Sequence, residues 1–372
     1  MKVGLNATCL NERPSGAKQR FIGIYGELFK LLPEVEFVVY EPADCQIESW
    51  FDSNPNVSFR CTPIPSEGRI RKFLVGLGYW SDVFSKDQFH IFENFNQPLV
   101  KAPNGRTLLT IHDIRRIYHD WSSWEGNVYK ATLARDLRVA DHVITVSQAM
   151  KDEILDFYPS ASVSVLYNGL NASEFSSVTP TDIKATSQKY NLPSEFVLAV
   201  GHHEKRKNYL NLIESFARLR DRGIARNLVI VGNDSGEQRA IKERILFENL
   251  SGFVTVLSGL SDLEVRCAFK LSSLLVFPSS YEGFGIPILE AMAAGCPMAL
   301  SDIPVFREIT QNQGVYFFHQ DPNSIALAID EALTSNSNRE RQIYYGYKRV
   351  QEFNFNRLAE QLANLYKTLS SR

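Results

Sequence analysis

Along almost the whole chain, apolar runs of strand length alternate with amphipathic runs of helix length, and the alternation stops once and starts again. Residues 2–6, 35–40, 57–60, 89–92, 107–111, 142–146 and 163–166 read as strands, with helical periodicity over 18–32, 69–84 and 128–139. A polar segment, 173–194, carries Pro180 and Pro193 and reads as an interdomain linker. Strands then recur at 196–201, 228–232, 253–257, 274–278 and 315–318, with helices over 207–220 and 236–248, from Pro322 onward, and finally over 356–370. Strand alternating with helix gives parallel sheets covered on both faces. The chain therefore reads as α/β, with two doubly wound Rossmann-like domains, 1–175 and 176–353, facing a central cleft. Its 372 residues suffice for two separate cores. Ligands of such sheets bind outside the carboxyl ends of the strands, so the site is expected at those ends.

Composition narrows the function classes. A net charge of -2 argues against a nucleic-acid binder, which usually needs a basic excess. Cys9, Cys45, Cys61, Cys267 and Cys296 are scattered without a C-x-x-C pair, which fits neither a disulfide framework nor a zinc site and points to a reducing compartment. The first residues, MKVGLNATCL, lack the apolar core of a signal peptide, and no apolar run approaches the length of a membrane span. The expected location is the cytoplasm, with attachment at most to the cytoplasmic face of a membrane. For that attachment the candidate is 69–80, RIRKFLVGLGYW, which joins three cations to an apolar, aromatic run. The competing reading is a helix packed on its own domain with a basic outer edge.

The stretch 279–304, SSYEGFGIPILEAMAAGCPMALSDIP, carries the most chemistry. It leaves a buried strand, passes a tight Gly283-Phe284-Gly285 turn and enters a helix with Pro287 at its start, where the missing N–H has no intrahelical partner. The open N–H groups of 283–286 and the helix dipole favour an anion such as a diphosphate. Glu282 precedes the turn and Glu290 follows eight residues later; buried carboxylates need donors, and sugar hydroxyls supply them. Read without further context, two solvated glutamates on an ordinary strand-turn-helix are the commoner explanation.

Three other places stand out. The run 200–208, VGHHEKRKN, follows a strand and opens a helix, so Arg206 and Lys207 either clamp a diphosphate or decorate a solvated loop. His112-Asp113 ends the strand 107–111, at the mouth of the first domain. It is either a site histidine or a structural one satisfied by its neighbour, and lacks the companions a metal site needs. Gly16, within PSGAKQR after the first strand, would let a backbone approach a ligand closely. Lys18 and Arg20 beside it make this loop basic, suited to a charged acceptor or simply exposed. Ser147 reads as a helix cap and Asn168-Gly169 as a turn.

The Glu282…Glu290 spacing, with G-F-G-x-P between and E-A-M-A-x-G-x-P after, resembles the donor-site signature of the retaining family-4 glycosyltransferases of GT-B fold, known also as glycosyl transferases group 1. The resemblance extends to G-x-x-x-x-R-K-N at 201–208, His112-Asp113, and the segments at 146–150 and 167–169. It implies that Lys207 and Arg206 contact the donor phosphates, that His112 and Glu282 act at the donor sugar, and that Glu290 takes the ribose hydroxyls. It places the base against the backbone of Gly259 and Leu260, and phosphate and sugar against Gly283, Phe284, Gly285 and Ile286. His202 stands where many members carry Arg. Such a terminal helix as 354–372 packs back on the N-terminal domain in this family.

The implied activity is retaining transfer of a hexose from a nucleotide-diphosphate sugar to a hydroxyl of a glycan or lipid-linked acceptor. Mannose from GDP-mannose is the first choice, by likeness to bacterial mannosyltransferases of surface polysaccharide synthesis; UDP-sugars remain open. No cofactor and no divalent metal are expected, since no Asp-x-Asp motif sits in a suitable loop. A nucleotide-sugar epimerase of GT-B shape and a non-catalytic sugar-nucleotide-binding subunit are the alternatives.

Overall fold

The computed structural model describes residues 1–95, 97–117, 123–224 and 226–371. The chain divides into two compact units, Met1–Gly169 with Asn354–Arg372, and Leu170–Phe353. Among the described residues the first unit builds a seven-stranded parallel sheet from β1 (Lys2–Asn6), β2 (Glu36–Glu41), β3 (Val57–Cys61), β4 (Ile91–Asn94), β5 (Arg106–Ile111), β6 (His142–Thr145) and β7 (Val163–Val165), in the order β3-β2-β1-β4-β5-β6-β7. The second builds a six-stranded parallel sheet from β8 (Val197–Val200), β9 (Leu228–Val231), β10 (Val254–Leu257), β11 (Leu274–Phe277), β12 (Met298–Ser301) and β13 (Val315–Phe317), in the order β10-β9-β8-β11-β12-β13. Each sheet thus reverses its winding once, between β1 and β4 and between β8 and β11. Ligands of doubly wound sheets sit in the crevice at the carboxyl side of such a reversal.

Central strands buried on both faces explain the apolar runs: Phe37, Val38, Val39 and Tyr40 of β2 are all 0% exposed, as continuous runs of β-branched and aromatic residues in covered parallel sheets should be. In the second unit Leu274 pairs with Val197 and Leu275 with Leu198. That register brings the loops after Val200 and Phe277 side by side.

The first helix begins earlier than the periodicity predicts. It starts at Gly16, with the Ser15 hydroxyl accepting from the Lys18 N–H at 3.2 Å, and runs through a π-helical turn at Phe21–Tyr25 into Gly26–Leu31. The loop expected over 14–20 is therefore mostly helix. Helix Phe355–Ser370 packs on this first helix and on β4 within the first unit, burying Leu358, Ala359, Leu362, Ala363, Tyr366 and Leu369 at helical spacing. Phe355 lies where a side chain at Gly23 or Gly169 would stand, so these two glycines serve close packing.

The unit boundary falls at Gly169/Leu170, upstream of the boundary read from the sequence, because Phe175 is buried and meets Phe269 edge-on at 6.3 Å. The supposed linker is helical over Ser173–Ser176 and Pro180–Tyr190 and belongs to the second unit. Helix Asp262–Leu271 and strand β12 have no counterpart in the sequence reading.

The terminal helix is latched by a buried carboxylate. Glu93 of β4 accepts from Tyr25 Oη at 2.8 Å, from Thr110 Oγ1 at 2.6 Å and from Tyr366 Oη. Tyr366→Phe leaves that carboxylate one donor short, which should cost about 1–3 kcal/mol. A urea titration should show a lower midpoint at unchanged slope; a protein as stable as the wild type would mean that the latch contributes nothing.

Candidate active site

The turn after β11 and the loop after β8 meet at the reversal of the second sheet. Helix Ile286–Ala294 starts there, with Gly285 at φ 118° before it and Pro287 at its second position. A Cβ on Gly285 would approach Phe306 to 3.0 Å in a backbone conformation that side chains resist. No side chain caps this helix start, and the Gly285 and Ile286 N–H groups have no backbone acceptor among the described residues. On the facing loop, Lys205–Lys207 form a single 3₁₀ turn, and Asn208 at φ 57° redirects the chain into helix Tyr209–Asp221. The two loops are tied by the Ser280 N–H, which donates to Arg206 O at 2.8 Å.

Glu282 is the centre of the charge arrangement. Its Oε1 lies 2.6 Å from Arg206 Nη1 and 2.7 Å from Lys207 Nζ. Arg206 also pairs with Glu204 at 2.8 Å and donates to Tyr281 O at 3.3 Å. Lys207 is 6% exposed and stands 4.7 Å above the Phe277 ring. Burial pushes the Glu282 carboxyl up, but Lys207 and Arg206 overcome it and take it down to about 2. Burial lowers the Lys207 ammonium, with Glu282 opposing. Gly201, at φ 145°, supplies room for this lysine, because a Cβ there would stand 2.8 Å from Lys207 Cε.

Glu290, one helix turn deeper, has the opposite environment. It has no hydrogen-bond partner among the described residues. Burial and then Asp262 raise its carboxyl to about 7, against Arg266 and Lys207. An acid held half-protonated near neutrality and without a donor is suited to accept from hydroxyls brought by a ligand. The adjacent loops are built for backbone contact. Gly259 N–H donates to Asn233 Oδ1 at 3.0 Å and Ser258 Oγ donates to Gly232 O at 2.7 Å, while Gly259 at φ 74° is exposed and Leu260 half-buried.

The structure brings together Arg206, Lys207, Glu282, Gly283, Gly285 and Ile286, with Glu290 in the helix behind them. Phe284 contributes its backbone to the turn, while its ring is buried edge-on against Phe353 at 5.9 Å. His112 and Gly16 lie in the first unit. His112 follows β5, and burial and then Arg20 take its imidazole down to about 3, so it is neutral at physiological pH. Its neighbour Asp113 does not satisfy it and instead accepts from the Arg115 N–H at 3.2 Å. Gly16 opens a helix.

Two readings of charge need correction. Arg20 is 3% exposed and donates to Leu166 O, Tyr167 O and Asn168 Oδ1, which makes it a clamp on the strand-end segment after β7. Lys18 is pinned by Glu12 at 2.8 Å and by the Trp50 ring at 4.2 Å. His203, within the run 200–208 that reads as a solvated loop, is fully buried, with neither ring nitrogen partnered among the described residues and its pKa lowered by burial; its backbone bridges to Asp234. Asp262 and Arg266, which set the charge of Glu290, escaped the sequence reading because their helix did.

A family model for Glycosyl transferases group 1 matches residues 182–349, and one for Glycosyltransferase Family 4 matches 27–174. The O-antigen chain mannosyltransferase RfbU of Salmonella typhimurium is 33% identical over 223 residues, a match that spans 59% of this chain and 59% of that protein. Sucrose-phosphate synthase from Thermosynechococcus elongatus superposes with a TM-score of 0.79 at 19% identity, covering 100% of this chain and 99% of that one. Anabaena Alr3699/HepE, solved in complex with UDP and glucose, gives 0.79 at 18%, covering 99% and 100%. At these identities the two solved structures are alike in fold.

The Glu282 pairs have a pH signature. A carboxyl whose folded pKa is depressed from 4.5 to about 2 gives stability present above pH 4.5 and lost as pH falls toward 2. Glu282→Gln leaves two neighbouring cations without their carboxylate and should cost about 3 kcal/mol at pH 7. It should also flatten the loss of stability between pH 4.5 and 2, read by denaturant unfolding across that range. An unchanged acid limb would remove Glu282 from the account.

Proposed function

With a Glycosyltransferase Family 4 match in its first half and a Glycosyl transferases group 1 match in its second, the chain belongs to the glycosyltransferases of GT-B fold, and we propose that it moves a hexose from a nucleotide-diphosphate sugar to a hydroxyl of a glycan or lipid-linked acceptor, with retention and without a metal. The observation that carries this is the pairing of Arg206 and Lys207 on Glu282 beside an uncapped helix start. Two cations and open N–H groups are what a diphosphate requires.

When the donor binds, its diphosphate takes over Arg206, Lys207 and the N–H groups of Gly285 and Ile286. Glu282, no longer fully engaged, accepts from the sugar hydroxyls; His112, a neutral imidazole of the first unit, keeps the part in sugar binding that the family resemblance implies. Glu290 takes the ribose hydroxyls, with the base against the Gly259–Leu260 backbone. The bond from the anomeric carbon to the diphosphate breaks, and the bond to the acceptor oxygen forms on the same face. The acceptor proton passes to the departing phosphate oxygen. Arg206, Lys207 and the helix start stabilise the charge that develops there, as preorganised donors do. Mannose from GDP-mannose is the first choice, supported by the mannosyltransferases RfbU and O-antigen chain mannosyltransferase B of Escherichia coli among the relatives. The UDP complex of HepE keeps UDP-sugars in the test. The proposed place of action is the cytoplasm, at the membrane face where the acceptor is lipid-linked.

A thermal-shift series with GDP, UDP, ADP and dTDP, without metal, tests the donor site. GDP should stabilise the wild type, by about 2.7 kcal/mol at one hundred times Kd, and Glu290→Ala should respond far less. Because ribose hydroxyls favour the ionised form of a group that titrates near 7, binding should release a proton. Affinity should be full above pH 7 and fall by up to about tenfold per pH unit below it. A larger response to UDP would move the donor assignment to UDP-sugars. No response to any nucleotide or to GDP-mannose and UDP-glucose would overturn the donor site.

A further inference from the structure

The first unit holds two adjoining cavities at the carboxyl ends of its strands, apart from the diphosphate clamp of the second unit. One, of 310 Å³, is lined by Lys72, His112, Arg115 and Arg116 among others. The other, of 320 Å³, is lined by Ile64, Leu77, Trp80, Leu99 and Val100 as well as by Asn6 and Thr8. Lys72, Gln97 and Pro98 belong to both. They lie where the sheet reverses between β1 and β4, a position marked by Asn6 Nδ2 donating to Asn94 Oδ1 at 3.0 Å. Lys101 and Arg135 also line the second hollow, but each is paired, with Asp141 at 2.5 Å and with Asp136 at 2.9 Å, so the first hollow is the more cationic and its neighbour offers the larger apolar wall.

Lys72 separates this place from an ordinary basic surface. Its ammonium has no ion pair or hydrogen bond among the described residues. Burial lowers its pKa, with Cys9, Asp44 and Glu67 only partly offsetting. A half-buried cation without a partner is expensive and gains most from an anionic ligand. Arg115, 3.7 Å from Asp113, and Arg116, over the Tyr129 ring at 5.7 Å, add positive charge. Helix Arg69–Lys86, which supplies Lys72, also exposes Leu74 and Leu77 at 64% and 60%, three residues apart on one face. The side chains of Arg69, Ile70 and Phe73 lie outside the described residues.

We propose that these paired cavities seat an amphiphilic phosphate: the phosphate group of a lipid-linked acceptor at Lys72, Arg115 and Arg116, and the first part of its apolar chain along Ile64, Leu77, Trp80 and Leu99. This rests on the transferase reading and narrows its acceptor from any hydroxyl compound to one carrying a phosphate ester on an apolar chain. Compact, strongly hydrated lysine and forked arginines together suit a phosphate, and apolar area beside them selects against a free sugar phosphate.

Calorimetric titration of the full chain with farnesyl diphosphate and with inorganic pyrophosphate tests it. The nucleotide that stabilises the protein is kept saturating so that the donor clamp is filled. Farnesyl diphosphate should bind at least about tenfold tighter than pyrophosphate. Lys72→Met, which keeps the side-chain length, should weaken it by about tenfold or more, and Arg116→Met should weaken it independently. The nucleotide response of both variants should match the wild type, which also reports that they are folded. Equal binding of the two probes overturns the apolar half of the site. Binding that ignores both substitutions, or no binding of either probe, overturns the whole assignment. Failure of this kind with an intact nucleotide response leaves the transferase reading standing, whereas absence of any nucleotide response strikes that reading itself.

Discussion

One carboxylate holds the second unit's loops in working order. Glu282 binds Arg206 and Lys207 through a single oxygen, and those two cations repel each other, Arg206 depressing the Lys207 ammonium. The arrangement exists only because β8 and β11 are neighbours in a parallel sheet, which sets a loop from each half of the winding side by side. Gly201 leaves space for the lysine, Ser280 ties the loops, and Gly285 turns the chain so that helix Ile286–Ala294 points its start at the same place. Buried ion pairs contribute little net stability against a hydrophobic substitute. Three charged groups converging on an uncapped helix start are therefore better explained by a ligand that takes some of them over than by folding.

Two glutamates, the fully buried Glu93 and the partly buried Glu290, show how satisfaction separates structure from site. Glu93 is fully buried and accepts from three hydroxyls, Tyr25, Thr110 and Tyr366. Its needs are met within the unit, and the result is a latch on the terminal helix. Glu290 is buried enough to be raised to about 7 yet has no donor among the described residues. Both carboxylates sit in an α/β layer and both are pushed up by burial. The difference is the absence of donors, which is the property of a group waiting for hydroxyls from outside.

Much of this was legible in the sequence, and the rest was not for identifiable reasons. The strand runs of both sheets, β12 excepted, were readable because parallel strands covered on both faces must be continuously apolar. The turn at 283–285 was readable because Gly-Phe-Gly before Ile-Pro admits few backbones. Helix Asp262–Leu271 was missed although Ser261 and Glu264 form a capping box at its start, a signal present in the sequence and overlooked. Arg20 could not be placed from its neighbours, since its partners lie 146 to 148 residues away. His203 looked like part of a basic loop, but the bridge to Asp234 turns it inward, where burial keeps it neutral. Local pattern fixes where loops are; long-range contact decides which of their charges face a ligand.

The same distinction explains why the two reversals of winding are not equivalent. In each unit positive charge collects at the carboxyl side of the reversal, although the chain as a whole has a net charge of -2. Placement of charge, rather than its total, then decides what the molecule attracts. At β8/β11 the cations are already neutralised by Glu282, so the diphosphate proposed to bind there has to compete with a carboxylate, and on that proposal the carboxylate's release is coupled to binding of the sugar. At β1/β4 Lys72 has no such partner among the described residues, although Asp113 stands 3.7 Å from Arg115, so an anion at the lysine displaces no paired carboxylate. A site with an internal competitor favours a ligand that replaces every lost contact, which suits discrimination among donors. A site with a cation unpaired among the described residues and an apolar neighbour favours any ligand of the right charge and hydrophobicity, which suits the proposed anchoring of an acceptor whose distal sugars vary.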